Sequence, residues 1–164
     1  MKTPVKNHRA RSFRLSVLVL TLCLLIAQTG RTETTPVNRI EIYIYGPGIA
    51  QVIDVYGRQS GRNLVTGDIL AEIPGSDVLK EGTTERIPGW TIQLQNPPTG
   101  KYRIKLSATG AGAFVIDVDT VDAAGNLKNK HLFRQVKPGD ALELLLTYSR
   151  DPGAENTLIE RQVY

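Results

Sequence analysis

The chain has 164 residues, 41% of them hydrophobic and 22% charged, with a formal net charge of +4 from 20 basic and 16 acidic side chains. Residues 1–27 hold Lys2, Lys6, Arg9, Arg11 and Arg14 and no acid, which leaves 15 basic against 16 acidic groups, about −1, in the remainder; that part lacks the basic excess that nucleic-acid binding calls for. Cys23 is the only cysteine and lies in the same N-terminal stretch, and His131 is the one histidine after it, so disulfides, a thiol nucleophile and a Cys/His zinc site are excluded beyond residue 27.

The N-terminus runs from a basic stretch to an apolar one, residues 15–27 (LSVLVLTLCLLIA), and then to Gln28-Thr29-Gly30. This is the order of a secretory signal peptide. The apolar run has 13 residues, short of the ~20 that a membrane span needs. An uncleaved N-terminal anchor is the alternative, because neither Ala27 nor Gly30 completes a clean small-x-small cleavage site. Leu22 stands where a lipoprotein signal needs a small residue, so Cys23 reads as one more apolar side chain. Residues 1–30 are therefore assigned to a signal and 31–37 (RTETTPV) to a linker. Residues 38–149 form one domain, and 150–164, broken early by Asp151-Pro152-Gly153, form a loosely ordered tail.

Within the domain the apolar period is two. Residues 39–45 set Ile40, Ile42 and Ile44 against Glu41, Tyr43 and Tyr45, the pattern of a strand with one buried face. Residues 51–56 make a second strand after Gly46-Pro47-Gly48, 57–67 a loop with room for a short strand, and 69–73 another short strand; residues 74–89 read as a long surface loop. Three alternating runs follow: Trp90, Ile92, Leu94; Tyr102, Ile104, Leu106; and Phe114, Ile116, Val118. Turns at 96–100 and 109–112 separate them, and 122–126 closes the block. Strands at 128–136 and 141–148, divided by Lys137-Pro138-Gly139-Asp140, complete the set. About seven strands with a turn roughly every ten residues, and no helical period, specify an all-β antiparallel sandwich.

The runs around Ile104 and Ile116 are read as two arms of one hairpin. Face parity then places Arg103 opposite Asp117 with Lys101 opposite Asp119, or Arg103 opposite Asp119 with Lys105 opposite Asp117. The stripe Lys101, Arg103, Lys105 is thus expected to be neutralised by acids across the hairpin, a structural role, rather than to bind a polyanion.

DVYGRQSG at 54–61, EIPGS at 72–76, LQNPPTGKYRIKLSATGAGAF at 94–114, DAAGN at 122–126 and the Lys-Pro-Gly before the last strand resemble the turns and central hairpin of bacterial secreted β-sandwich modules, immunoglobulin-like or prealbumin-like. The resemblance covers roughly residues 51–149. It implies that kind of sandwich, in a protein exported from the cytoplasm, where such modules often stand beside adhesion-type or enzyme domains. Its motifs are turns and a tyrosine, so they speak to fold more than to function.

Few residues are arranged for chemistry. Ser60, in Gly57-Arg58-Gln59-Ser60-Gly61, lacks the spacing of a nucleophile elbow, and its one available base is His131. Asp117, Asp119, Asp122 and Asn126 miss the spacing of a calcium loop, so no metal and no cofactor is expected. Trp90 is assigned to the core, in phase with Ile92 and Leu94, and Tyr102 to a corner whose hydroxyl bonds nearby backbone. Tyr43 and Tyr45 face away from the isoleucines and are expected to be exposed side by side, as ligand-binding residues. The function expected is that of an exported, non-catalytic module for binding, adhesion or scaffolding, secreted or held in the periplasm or cell envelope. Its partner would be a protein or glycan and not nucleic acid, and no membrane span would remain after cleavage. A carbohydrate-binding module using Tyr43 and Tyr45 is the alternative, and a small serine hydrolase the third reading.

Overall fold

The computed structural model describes residues 37–81 and 89–161; the expected signal and nearly all of the linker lie outside the described residues. The chain runs through β1 (Arg39–Tyr45), β2 (Gly48–Ile53), β3 (Gln59–Arg62), β4 (Ile69–Ala71), β5 (Ser76–Glu81), β6 (Gly89–Gln95), β7 (Gly100–Ala108), β8 (Gly112–Val121), β9 (Leu127–Val136), β10 (Ala141–Tyr148) and β11 (Thr157–Arg161). They form two antiparallel sheets, five strands in the order β5-β6-β1-β8-β9 and six in the order β11-β10-β7-β2-β3-β4. The protein is an all-β sandwich, with more and shorter strands than the alternation alone marks out.

The core is made by the inward positions of both sheets. Ile40, Ile42, Ile44, Ile92, Leu94, Phe114, Ile116 and Val118 from one meet Val52, Tyr102, Ile104, Leu106, Leu144, Leu146 and Tyr148 from the other, each at most 1% exposed. Burying one such side chain stabilises the fold by about 1.5–3 kcal/mol, more than any exposed ion pair contributes. Two tyrosines in this layer keep their hydroxyls satisfied. Tyr102 donates to Pro98 O at 2.6 Å, the local backbone contact of a corner tyrosine, and Tyr148 donates to Val121 O in the opposite sheet at 3.0 Å. Their rings meet edge to face, with centroids 6.4 Å apart.

The hairpin expected between the Ile104 and Ile116 runs does not exist. β7 lies in the six-stranded sheet, where Arg103 faces Leu145 and Ile53 in register, whereas β8 lies in the five-stranded sheet, where Asp117 faces Tyr43 and His131, and Asp119 faces Glu41 and Asn129. Arg103 therefore pairs with neither acid. The link 109–111 is a crossing between sheets: the amides of Thr109 and Gly110 donate to Pro47 O, in the link that crosses the other way. Alternation satisfies a hairpin and a crossing equally; here the chain crosses, and each strand buries its apolar face against the opposite sheet.

Three further readings change. Residues 76–81, taken for loop, are edge strand β5 paired to β6, and residues 157–161, taken for tail, are edge strand β11 paired to β10. Edge strands are half-solvated, so their apolar alternation is thin. Trp90 points inward but sits at the end of β6, only half-buried, with the Arg62 guanidinium 4.7 Å over its ring.

Two hairpin turns, the expected one at 122–126 and another at 54–58, share one design. Asp54 and Asp122 each open an Asp-x-x-Gly turn, and Gly57 and Gly125 both take φ +83°, a left-handed backbone that favours glycine. In each turn an aspartate oxygen accepts two backbone amides, those of Tyr56 and Arg58 in one and of Ala124 and Asn126 in the other. The second Asp122 oxygen accepts from the Asn126 side chain and from Gly153 N, tying the β8–β9 turn to the β10–β11 link. These bonds, the Asn126 side chain first and against an opposing effect of burial, hold the Asp122 carboxyl down at about 2. Its folded pKa lies below its unfolded one, so its contribution to stability is complete above about pH 4 and is lost as pH falls through 2. Urea midpoints measured from pH 5 to pH 2 should drop steeply in the wild type and less steeply in Asp122→Ala; equal slopes would mean the carboxylate is not the titrating group.

Candidate functional site

Strand β1 is the middle strand of the five-stranded sheet, so its outward residues, Arg39, Glu41, Tyr43 and Tyr45, lie in the centre of a broad face. Register adds rows from the neighbouring strands. Tyr43 lies between Asp117 and Thr91, with His131 beyond Asp117; Tyr45 lies between Val115 and Gly89, with Phe133 beyond Val115; Glu41 lies between Asp119 and Gln93, with Asn129 beyond Asp119.

The polar groups of this face are bonded to one another. Tyr43 donates its hydroxyl to Glu41 Oε2 at 3.2 Å, and Gln93 Nε2 donates to Glu41 Oε1 at 3.3 Å. Arg39 Nε is 3.3 Å from the same Oε1, an ion pair rather than an aligned hydrogen bond. His131 Nδ1 is 2.7 Å from Asp117 Oδ1, and Asn129 Nδ2 donates to Asp119 Oδ1 at 2.6 Å. Burial, and after it the Glu41 charge and hydrogen bond, push the Tyr43 phenol up to about 12. Tyr43 therefore stays neutral, a donor and a flat apolar surface at once.

Tyr43 and Tyr45 lie side by side as expected, but half-buried rather than exposed, in the centre of the sheet with β6 and β8 on either side of them. Phe133, on the edge strand of the same face, is 50% exposed. Its place one row beyond Val115 is invisible in sequence, where β9 reads as a charged strand.

The other chemical candidates come apart. Ser60 is fully buried between the sheets, donating to Ser76 Oγ at 2.8 Å and accepting from Ile73 N, while His131 stands on the outer face of the other sheet. No proton can pass between them. Asp122 is used up by its turn, and among the described residues no group of three or more His, Cys, Asp and Glu is placed to hold a metal ion.

A cleft of about 440 Å³ opens at the side of the sandwich. Phe114, Val136 and Leu142 contribute buried side chains to its lining, and Arg134 pairs with Glu160 across it. Asp140, the third charged residue of the lining, accepts from Lys137 N at 2.8 Å. Comparison with protein-family models, curated proteins and solved structures returned no match.

Proposed function

We propose that the chain is an exported, non-catalytic binding module of the immunoglobulin-like or prealbumin-like kind, working outside the cytoplasm. Export rests on the basic, apolar and small-residue order of residues 1–30. A binding role is supported by one observation above others: the outer face of the five-stranded sheet carries two adjacent tyrosines framed by Gln93, Asn129, Asp117 and Glu41. A flat aromatic surface bordered by amides and carboxylates offers a sugar ring both a stacking partner and hydrogen bonds for its hydroxyls. This arrangement favours a neutral glycan as the ligand over a protein. A rigid sheet also presents such a platform without ordering a loop on binding.

The test uses mature protein recovered from the extracytoplasmic fraction, with its N-terminus expected near residues 28–31. It is incubated with a panel of insoluble neutral polysaccharides, and depletion from solution is measured. Depletion by at least one is expected, and Tyr43→Ala or Tyr45→Ala should weaken it by about 2 kcal/mol or more, roughly thirtyfold in Kd. No depletion by any member, or equal depletion by both variants, would remove the glycan reading. An intact Met1 terminus held in membrane would replace cleavage with anchoring.

A further inference from the structure

The outer face of the six-stranded sheet carries the cations that alternation had placed beside acids. Lys101, Arg103 and Lys105 occupy successive outward positions of β7, a central strand; their neighbours in register are Thr147, Leu145 and Glu143 on β10, and Ile53 and Gln51 on β2. Same-face positions on a strand are ~6.7 Å apart, so the three charges form a row about 13 Å long. Glu143 is the one acid facing outward on β11, β10, β7 and β2, and its Oε1 is 3.3 Å from Arg161 NH1. Among the described residues, Lys101, Arg103 and Lys105 form no ion pair.

The acids are on the other side. Glu41, Asp77, Asp117 and Asp119 all point outward from the five-stranded sheet. A domain of nearly zero net charge has thus been divided into a basic face and an acidic one. Like charges in sequence along one strand repel, a cost that a merely solvated face avoids by mixing signs, and the row attracts an anionic chain laid along it.

We infer that this face binds an acidic polysaccharide, an extended chain of carboxylate- or sulfate-bearing sugars running along β7. Its anions meet Lys101, Arg103 and Lys105, and its hydroxyls meet the flanking Ser107 and Thr147. A nucleic acid fits less well, because no aromatic side chain stands among the outward residues of β11, β10, β7 and β2 to stack a base. A lipid surface fits less well too, because Ile53 and Leu145, beside Arg103, are buried and half-buried, and the apolar side chain that does project, Ile159, stands alone on edge strand β11. The site lies on the opposite sheet from Tyr43 and Tyr45 and stands or falls separately from them.

The probe is soluble polygalacturonate, with binding followed by calorimetry between 20 and about 200 mM salt. Binding should weaken with salt along a log–log slope of about −2, roughly 0.7 for each of the cations neutralised. The Lys101→Gln/Arg103→Gln/Lys105→Gln variant should lose at least tenfold in affinity with its melting temperature unchanged, whereas Tyr43→Ala/Tyr45→Ala should bind as the wild type does. Absence of binding at the lowest salt, a triple variant that binds equally well, or tighter binding to an oligothymidylate or to phosphatidylglycerol vesicles than to polygalacturonate would each overturn the inference.

Discussion

Gly61→Ala is expected to lower the unfolding free energy by about 3–5 kcal/mol, enough to leave a marginal domain largely unfolded at 37 °C. Gly61 is in β3, opposite Gln51, with φ +117°. At that backbone angle a Cβ points into the sandwich, 2.5 Å from Ala50 O and 2.8 Å from Ile92 Cδ1. The first of these is backbone in a paired strand and cannot move aside. Strain at a φ that L side chains avoid contributes about 1–3 kcal/mol, and forced overpacking a similar amount. A urea titration checks this against Gly153→Ala, where φ is +79° but a Cβ meets nothing within 4 Å. The second variant isolates the backbone term, so Gly61→Ala should be clearly the worse. Equal losses would mean that the close approach of the sheets at Gly61 contributes nothing.

Asp54→Ala should cost about 3 kcal/mol, the scale of a buried, charge-assisted network losing its acceptor. The carboxylate is fully buried. It accepts from the amides of Tyr56 and Arg58 at 2.8 and 2.9 Å and from Arg58 Nε at 2.7 Å, and it pairs with Arg58 NH2 at 2.6 Å. The Arg58 guanidinium in turn lies 4.9 Å over the Tyr56 ring, which shields it in part on an otherwise exposed turn. Asp54→Asn keeps an acceptor for the two amides and removes the charge, so about half of the loss should remain, roughly 1.5 kcal/mol. Thermal denaturation of both variants separates the turn cap from the ion pair. If Asn costs as much as Ala, the ion pair carries the effect and the cap little.

The two aspartate turns also show what a close reading of the chain can reach. Asp54-Val55-Tyr56-Gly57 and Asp122-Ala123-Ala124-Gly125 carry the same spacing, and that spacing encodes the same hydrogen bonds in both sheets. The signal was present at single-residue level and needed no partner strand to be legible. Tyr43 and Tyr45 were legible in the same way as outward residues of β1. Their half-burial was not, because it depends on β6 and β8 lying on either side of them.

Alternation along each strand determined which side chains face inward, since period two follows from backbone geometry alone, and glycine, proline and aspartate determined where strands stop, since those residues set φ or cap amides locally. Tertiary structure alone decided which strand lies beside which. β7 and β8 satisfy the same pattern as a hairpin and as members of opposite sheets, and only the completed core distinguishes the two. It decided, too, that the weakly patterned edges β5 and β11 are strands, because their ladder hydrogen bonds come from one neighbour that local sequence does not name. The charges follow from that choice. Separating Arg103 from Asp117 by the thickness of the sandwich left one face basic and the other acidic, a division that no local stretch of the chain contains.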